Sequence, residues 1–180
     1  MLKNNYLQKK YIFSQAGFTL VEMLVVFVIL AILATVVLAG YRSGQKRYAL
    51  SQAAQQLASD FRKAQNMAMG GVDIEGQYYG YGLWVRQDRT YYRFYSDKND
   101  NNRFNAWGDD YEDINLPEGI IVQSTSVGWT ADIFFRPPDP TTYINYPFGI
   151  TAATITLQIE DDPSSTKTIT VTTTGRIQVD

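Results

Sequence analysis

The stretch GFTLVEMLVVFVILAILATVVLA, Gly17 to Ala39, decides how this chain is read. From Phe18 onward it is apolar apart from Thr19, Glu22 and Thr35. As a helix rising about 1.5 Å per residue it reaches roughly 33 Å, enough to cross a hydrocarbon layer of about 30 Å. A carboxylate inside such a run is costly, and the default reading is functional, which singles out Glu22. A plain anchor has no need of it.

Upstream, residues 1–16 are polar and basic, with Lys3, Lys9 and Lys10 and no acid. That asymmetry predicts a cytoplasmic N-terminus and a body on the far side of the membrane. An ordinary secretory signal cut after Val37-Leu38-Ala39 does not fit. Signal cores run about 7–15 residues, and this run is longer and contains an acid. A lipoprotein is excluded because Tyr41 stands where its acylated Cys belongs.

The helix is expected to continue past the apolar run. Leu50, Ala54, Leu57, Ala58, Phe61, Ala64 and Ala68 recur at three- and four-residue steps beside Ser51, Gln55, Asp60, Arg62 and Lys63, an amphipathic stripe. Gly70-Gly71 supplies the stop, since glycine adopts the left-handed C-cap conformation without steric penalty. The pattern predicts one helix from Phe18 to Met69, with Gly40 and Gly44 as soft points.

Beyond the glycines the period changes to that of strands. Tyr79, Tyr81, Leu83 and Val85 share one face, and Tyr91 to Tyr95 returns after Gln87-Asp88-Arg89 as a hairpin. Further strands are expected at Ile120–Gln123, Ile133–Arg136, Thr154–Glu160, Lys167–Thr173 and Arg176–Val179. Ile155, Leu157 and Ile159 alternate with polar neighbours, the mark of a sheet with one wet face. Asp97–Asp113 and Arg136–Pro140 read as loops. The fold class is therefore α+β, a long N-terminal helix packed on an antiparallel β-sheet. Three regions follow: a leader at 1–17, a transmembrane or filament-core helix at 18–44, and an extracytoplasmic globular domain at 45–180.

Net charge is −2 over 180 residues. Without the leader lysines, 13 of the 16 bases face 18 acids, a net charge of −5. Such a body has no counterion-release drive towards nucleic acid. Absence of Cys and His excludes disulfides, thiolate or imidazole metal sites, cysteine nucleophiles and Ser/His/Asp triads within the chain. Assembly, not catalysis, is the expected function.

At Gly17-Phe18-Thr19-Leu20-Val21-Glu22, with its basic leader and apolar continuation, the sequence resembles the prepilin cleavage and methylation motif of type IV pilins and type II secretion pseudopilins. The resemblance implies the pilin fold, cleavage by prepilin peptidase between Gly17 and Phe18, and N-methylation of Phe18. It further implies that Glu22 serves subunit assembly by pairing with the N-terminal amine of a neighbouring subunit. Other pilin or pseudopilin subunits are the implied partners, and the route runs from single-pass inner-membrane protein to filament. Residues Gln55 to Gln65, the Phe94 to Asp110 segment and Thr174-Gly175-Arg176-Ile177 resemble the GspH/FimT group, whose subunits initiate or cap the filament. A major pilin, and a DNA-binding competence pilin or tip adhesin, remain alternatives. The GspH/FimT resemblance carries no basic C-terminal tail here.

Three further features stand out. The tyrosines, 13 in all, suit strand packing more than a ligand-stacking platform. Asp109, Asp110, Glu112 and Asp113 lie together in one loop and read as a solvated face or a cation holder, not as the acid/base pair of a hydrolase. Asp97, Asn99 and Asn101 alternate as at the start of a calcium loop. Asn102 replaces the turn glycine there, Gly108 takes the twelfth place, and Asp109 lies one residue late. Two readings stay open for this loop: Asx turns whose side chains bond their own backbone, and a weak Ca²⁺ site using Asp97, Asn99, Asn101 and Asp109. No cofactor is otherwise required.

Overall fold

The computed structural model describes residues 17–70, 73–74, 77–78, 80–137, 141–145 and 149–180. Its elements, in order, are α1 (Leu20–Met69), β1 (Asp73–Ile74), β2 (Gln77–Tyr78), β3 (Tyr81–Arg86), β4 (Tyr91–Ser96), β5 (Asp110–Asn115), β6 (Ile120–Thr125), β7 (Thr130–Arg136), β8 (Thr141–Ile144), β9 (Ala152–Ile159), β10 (Asp162–Thr172) and β11 (Ile177–Val179). The fold is α+β, one long helix on antiparallel sheets. Two compact units divide it, Met1–Tyr41 and Arg42–Asp180.

Within the first unit, residues 17–19 are non-helical and the helix begins at Leu20. Every described side chain of residues 17–41 is exposed. The hydroxyl of Thr35 donates to the Ile32 carbonyl at 2.7 Å, so this polar group in the apolar run is satisfied inside its own helix.

Within the second unit, α1 buries Leu50, Ala53, Ala54, Leu57, Ala58, Phe61, Ala64 and Ala68. Alanine on five of these positions brings the helix backbone close to the strands, while Leu57 and Phe61 supply bulk. The helix ends at Met69, with the Gly70 N–H on the Asn66 carbonyl at 2.8 Å. The expected end and the stripe both hold.

The strands divide into two main sheets where a single sheet was expected. One has the order β5-β4-β3-β7-β8, the other β11-β10-β9-β6, and β1-β2 forms a small ribbon. The sheets are stitched at the β3–β4 turn, where the Asp88 N–H donates to the Val122 carbonyl and the Val122 N–H to the Arg89 carbonyl, both at 2.9 Å. Inward residues of both, including Leu83, Val85, Ile133, Phe135, Val122, Ile155, Leu157, Ile169 and Val171, form one core with the α1 stripe. Each such side chain contributes about 1.5–3 kcal/mol on burial.

Several boundaries differ from the sequence reading: α1 begins at Leu20 instead of Phe18 and β7 at Thr130 instead of Ile133, and three differences are larger. Asp110–Asn115, expected as loop, is the edge strand β5. Thr141–Ile144 forms the opposite edge, β8. Strand β10 starts at Asp162, five residues early, through a register shift between Asp162 and Thr166. Tyr79 and residues 138–140 of the proline loop lie outside the described residues.

A second apolar layer covers the outer face of the five-stranded sheet. Tyr95 of β4 stands opposite Gly82 of β3 and lays its ring over the space a side chain there would fill. Residues 97–109 fold back so that Phe104 packs on Tyr95, Trp84 and Tyr111, with ring centroids 5.3, 5.5 and 5.4 Å away.

Candidate functional site

The first candidate is the start of α1. Thr19 is its N-cap: the hydroxyl accepts the Glu22 N–H at 3.2 Å, and the Thr19 carbonyl accepts the Met23 N–H at 3.2 Å. Thr19-Leu20-Val21-Glu22 thus has the spacing of a capping box, a signal present in the sequence but absent from the reading above. Glu22 lies in the first turn, where the partial positive charge of the helix terminus favours a carboxylate. Gly17 and Phe18 precede the cap, outside the helical hydrogen-bond ladder, and both are exposed. A protease can engage that bond without unwinding α1. Leader residues 1–16 lie outside the described residues.

Leu20 and the residues after it form the one helix, among the described residues, long and apolar enough to cross a membrane. Exposed apolar residues include Leu24, Phe27, Ile32 and Val36, distributed around the helix rather than on one face. Such a segment requires an apolar surrounding on all sides, either lipid or other protein.

The second candidate is the loop between β4 and β5, where Asp97 and Asp109 are buried. Asp97 Oδ1 accepts the N–H groups of Asn99 (3.1 Å) and Asn101 (3.3 Å), and Oδ2 accepts that of Asn102 (2.8 Å). Asp109 Oδ1 accepts the Lys98 N–H at 3.2 Å and Asn99 Nδ2 at 3.3 Å, while Oδ2 accepts the Asn105 N–H at 2.6 Å. Asn101 Oδ1 accepts the Arg103 N–H at 3.0 Å. The structure therefore gathers Asp97, Asn99 and Asp109, with Asn101 engaged one step further along the loop. Asp100 and Asn102 take left-handed φ of 56° and 60°, which the Asx bonds stabilise. Arg136 clamps the loop from β7, 2.9 Å from Asp100 and 2.8 Å from Asn102 Oδ1. Among the described residues, no group of three or more Asp or Glu converges as a metal cage.

Beneath the loop, Asp132 Oδ2 accepts the Phe104 N–H at 2.7 Å. Loss of hydration pushes Asp132 up to about 6, against the pull of its bonds from Tyr95 and Phe104. Burial likewise raises Asp109, opposed by the N–H groups of Asn105 and Lys98. Tyr95 is raised well above the usual phenol value, first by burial and then by the Asp132 charge. Further along β4, the Tyr92 hydroxyl donates to Asp60 Oδ2 of α1 at 2.5 Å, and its pKa is raised by burial and by that carboxylate. Tyr92 and Tyr95 are thus packing residues with satisfied hydroxyls.

The sheet aromatics also close around Arg93, an arrangement that spacing along the sequence does not reveal. Its guanidinium lies 4.9 to 5.5 Å from the ring centres of Tyr111, Trp84, Phe104 and Tyr91, and its Nε is 2.7 Å from Asp113 Oδ1. Two of the loop's acids are thus counter-ions, Asp113 to Arg93 and Asp110 to Lys98.

Residues 12–38 match the family model described as the prokaryotic N-terminal methylation motif. The match spans the capped start of α1 and most of the apolar run, and it supports the type IV pilin and pseudopilin superfamily as the class of this chain. That motif indicates a structural subunit that is processed and anchored through its N-terminal segment. No curated protein and no solved structure matches the chain significantly.

Proposed function

We propose that this chain is a structural subunit of a type IV pilus or type II secretion filament. Prepilin peptidase cuts between Gly17 and Phe18, and the amine of Phe18 is methylated. Glu22 then directs assembly by pairing with the N-terminal amine of a neighbouring subunit. Before assembly the chain is a single-pass inner-membrane protein with its body outside, held so by Lys3, Lys9 and Lys10. The observation that carries this reading is the coincidence of the methylation motif at 12–38 with an apolar first half of α1 whose described side chains are exposed and whose first turn bears an acid.

Within that class, Gln55 to Gln65 and Thr174 to Ile177 support a GspH/FimT-like subunit. Counting copies per purified filament separates a minor from a major role. Assembly rather than catalysis is the work of the body, and its acidic charge speaks against nucleic acid as partner. Separately, we propose that the β4–β5 loop takes up Ca²⁺ weakly through Asp97, Asn99, Asn101 and Asp109.

Intact mass of the protein from filaments tests the main reading. A chain beginning at Phe18 and carrying one added methyl group is expected; one beginning at Met1 or Gly40 overturns it.

A further inference from the structure

Trp107 is 99% exposed, more than any other large apolar side chain described. An indole carries about 150–250 Å² of mostly apolar surface, which water solvates poorly. Yet its turn is held in one shape. The Trp107 N–H donates to Asn105 Oδ1 at 3.1 Å, the Gly108 and Asp109 N–H groups donate to the Asn105 carbonyl at 3.1 and 3.0 Å, and Asp109 fixes the Asn105 N–H. Arg103, four residues earlier, is also exposed and has no ion-pair partner among the described residues. Trp and Arg are the residue types that most often anchor protein interfaces, and a pre-shaped loop loses little freedom on binding.

The same unit also carries a notch of about 330 Å³, which opens between Gln52, Ala53 and Gln56 of α1 and Ile114, Asn115 and Leu116 at the end of β5. Its walls are apolar at Ala53, Ile114 and Leu116, and the amide oxygens of Gln52, Gln56 and Asn115 can accept an indole N–H. The exposed acids Glu112 and Glu118 flank it, neither in an ion pair among the described residues. Their charge is opposite to that of Arg103.

Knob and notch lie off opposite ends of β5: the Trp107 turn precedes Asp110, and the notch surrounds Asn115. A six-residue strand is about 17 Å long. When one copy places its knob in the notch of another, its own notch stays free for a third. A contact between two different patches of one chain forms a ring where its rotation closes and otherwise propagates as an open line or helix.

We propose that Trp107 and Arg103 of one copy dock into the Gln52–Asn115 notch of the next, so that the bodies join head to tail. This rests on the filament reading and, within it, favours the alternative of a repeating major subunit over a single initiating or capping one.

The chain has no Cys, so introduced pairs report directly. Ala106→Cys with Asn115→Cys, which keeps Trp107, in the full-length chain expressed in membranes and oxidised, is expected to give a ladder of disulfide-linked multimers. Each single variant gives none beyond dimer. Trp129→Cys with Asn115→Cys, starting from a tryptophan 68% exposed on another turn, gives no ladder. In a charge swap, Arg103→Glu lowers filament yield several-fold and adding Glu118→Arg restores it. Normal filaments whose Ala106→Cys pair cross-links no further than the Trp129→Cys control, without rescue in the swap, overturn the contact and leave the filament reading standing. Ladders in membranes that yield no filament keep the contact and overturn that reading. Neither ladder nor filament overturns both.

Discussion

The hydroxyl of Tyr95 on β4 reaches over β3 and donates to Asp132 Oδ1 on β7 at 2.7 Å. The crossing is open because Gly82, between them, has no side chain. The bond ties three strands together above the sheet and, through Phe104, seats the β4–β5 loop.

It also sets a pH dependence. Asp132 has a folded pKa of about 6, above the unfolded value of about 3.9, so folding favours its protonated form. The associated stability is fully present below about pH 4 and is lost as pH rises through 6. Asp109, also raised, acts in the same direction. Asp162, lowered by Ser164 and Ser165, acts only below its unfolded value and leaves the pH 5–7 window untouched. Melting of the full chain in detergent is expected to occur at lower temperature at pH 7 than at pH 5, with a loss of about 1 kcal/mol of stability from Asp132. Asp132→Asn flattens the slope over that window.

Gly82→Ala places a methyl group 2.6 Å from the Tyr95 ring. The ring is held between Phe104 and Phe134 and cannot retreat. A loss of about 1–3 kcal/mol is expected by thermal unfolding. Gly80→Ala, which meets the Phe134 ring, gives a loss at least as large.

Glu22→Val is expected to leave insertion and leader removal intact and to lower incorporation into filaments. The substitution removes the only acid of the apolar run, so insertion itself becomes easier. Thr19→Ala separates assembly from capping: it removes the N-cap, worth about 0.5–2 kcal/mol, while keeping the carboxylate. Quantitative blotting of filaments and membranes reads both. Equal loss of incorporation in the two variants would assign Glu22 to helix capping alone.

For the β4–β5 loop, millimolar Ca²⁺ is expected to raise the melting temperature, since a ligand that binds only the native state stabilises it. Asp97→Ala is a poor probe because its carboxylate accepts three backbone N–H groups. Asn101→Ala removes one proposed ligand that accepts only the Arg103 N–H in the hydrogen bonds described above. It is expected to melt normally without Ca²⁺ and to lose the shift. An unchanged shift in Asn101→Ala, or none in the parent chain, leaves the Asx turns as the loop's whole purpose.

Helix α1 was legible because its apolar spacing repeats over many turns and Gly70 follows it. The edge strand β5 was not: Asp110, Tyr111, Glu112 and Asp113 are all exposed, so no apolar alternation marks the segment. Its place is set by pairing with β4 and by Arg93 on Asp113, which are long-range facts. Alternation in Ile155, Leu157 and Ile159 identified a buried face but not its neighbours, and so the division into two sheets stayed hidden. The fold-back of Phe104 depends on one aromatic meeting Tyr95 and Trp84, a contact without periodicity. Thr19 and Glu22, by contrast, were readable as a capping box from spacing alone.

The body's core begins at Leu50, with Ala49 packed at its edge, and draws every further member from residues after it. Among the described side chains of the apolar segment at 18–39, none belongs to that core. For that segment, lipid chains and the flanks of other helices are interchangeable solvents. Moving from one to the other changes its surroundings while the hydrophobic balance that keeps the body folded stays the same. In the proposed assembly, folding and relocation are thereby separate equilibria, and the body is expected to remain native throughout the transfer.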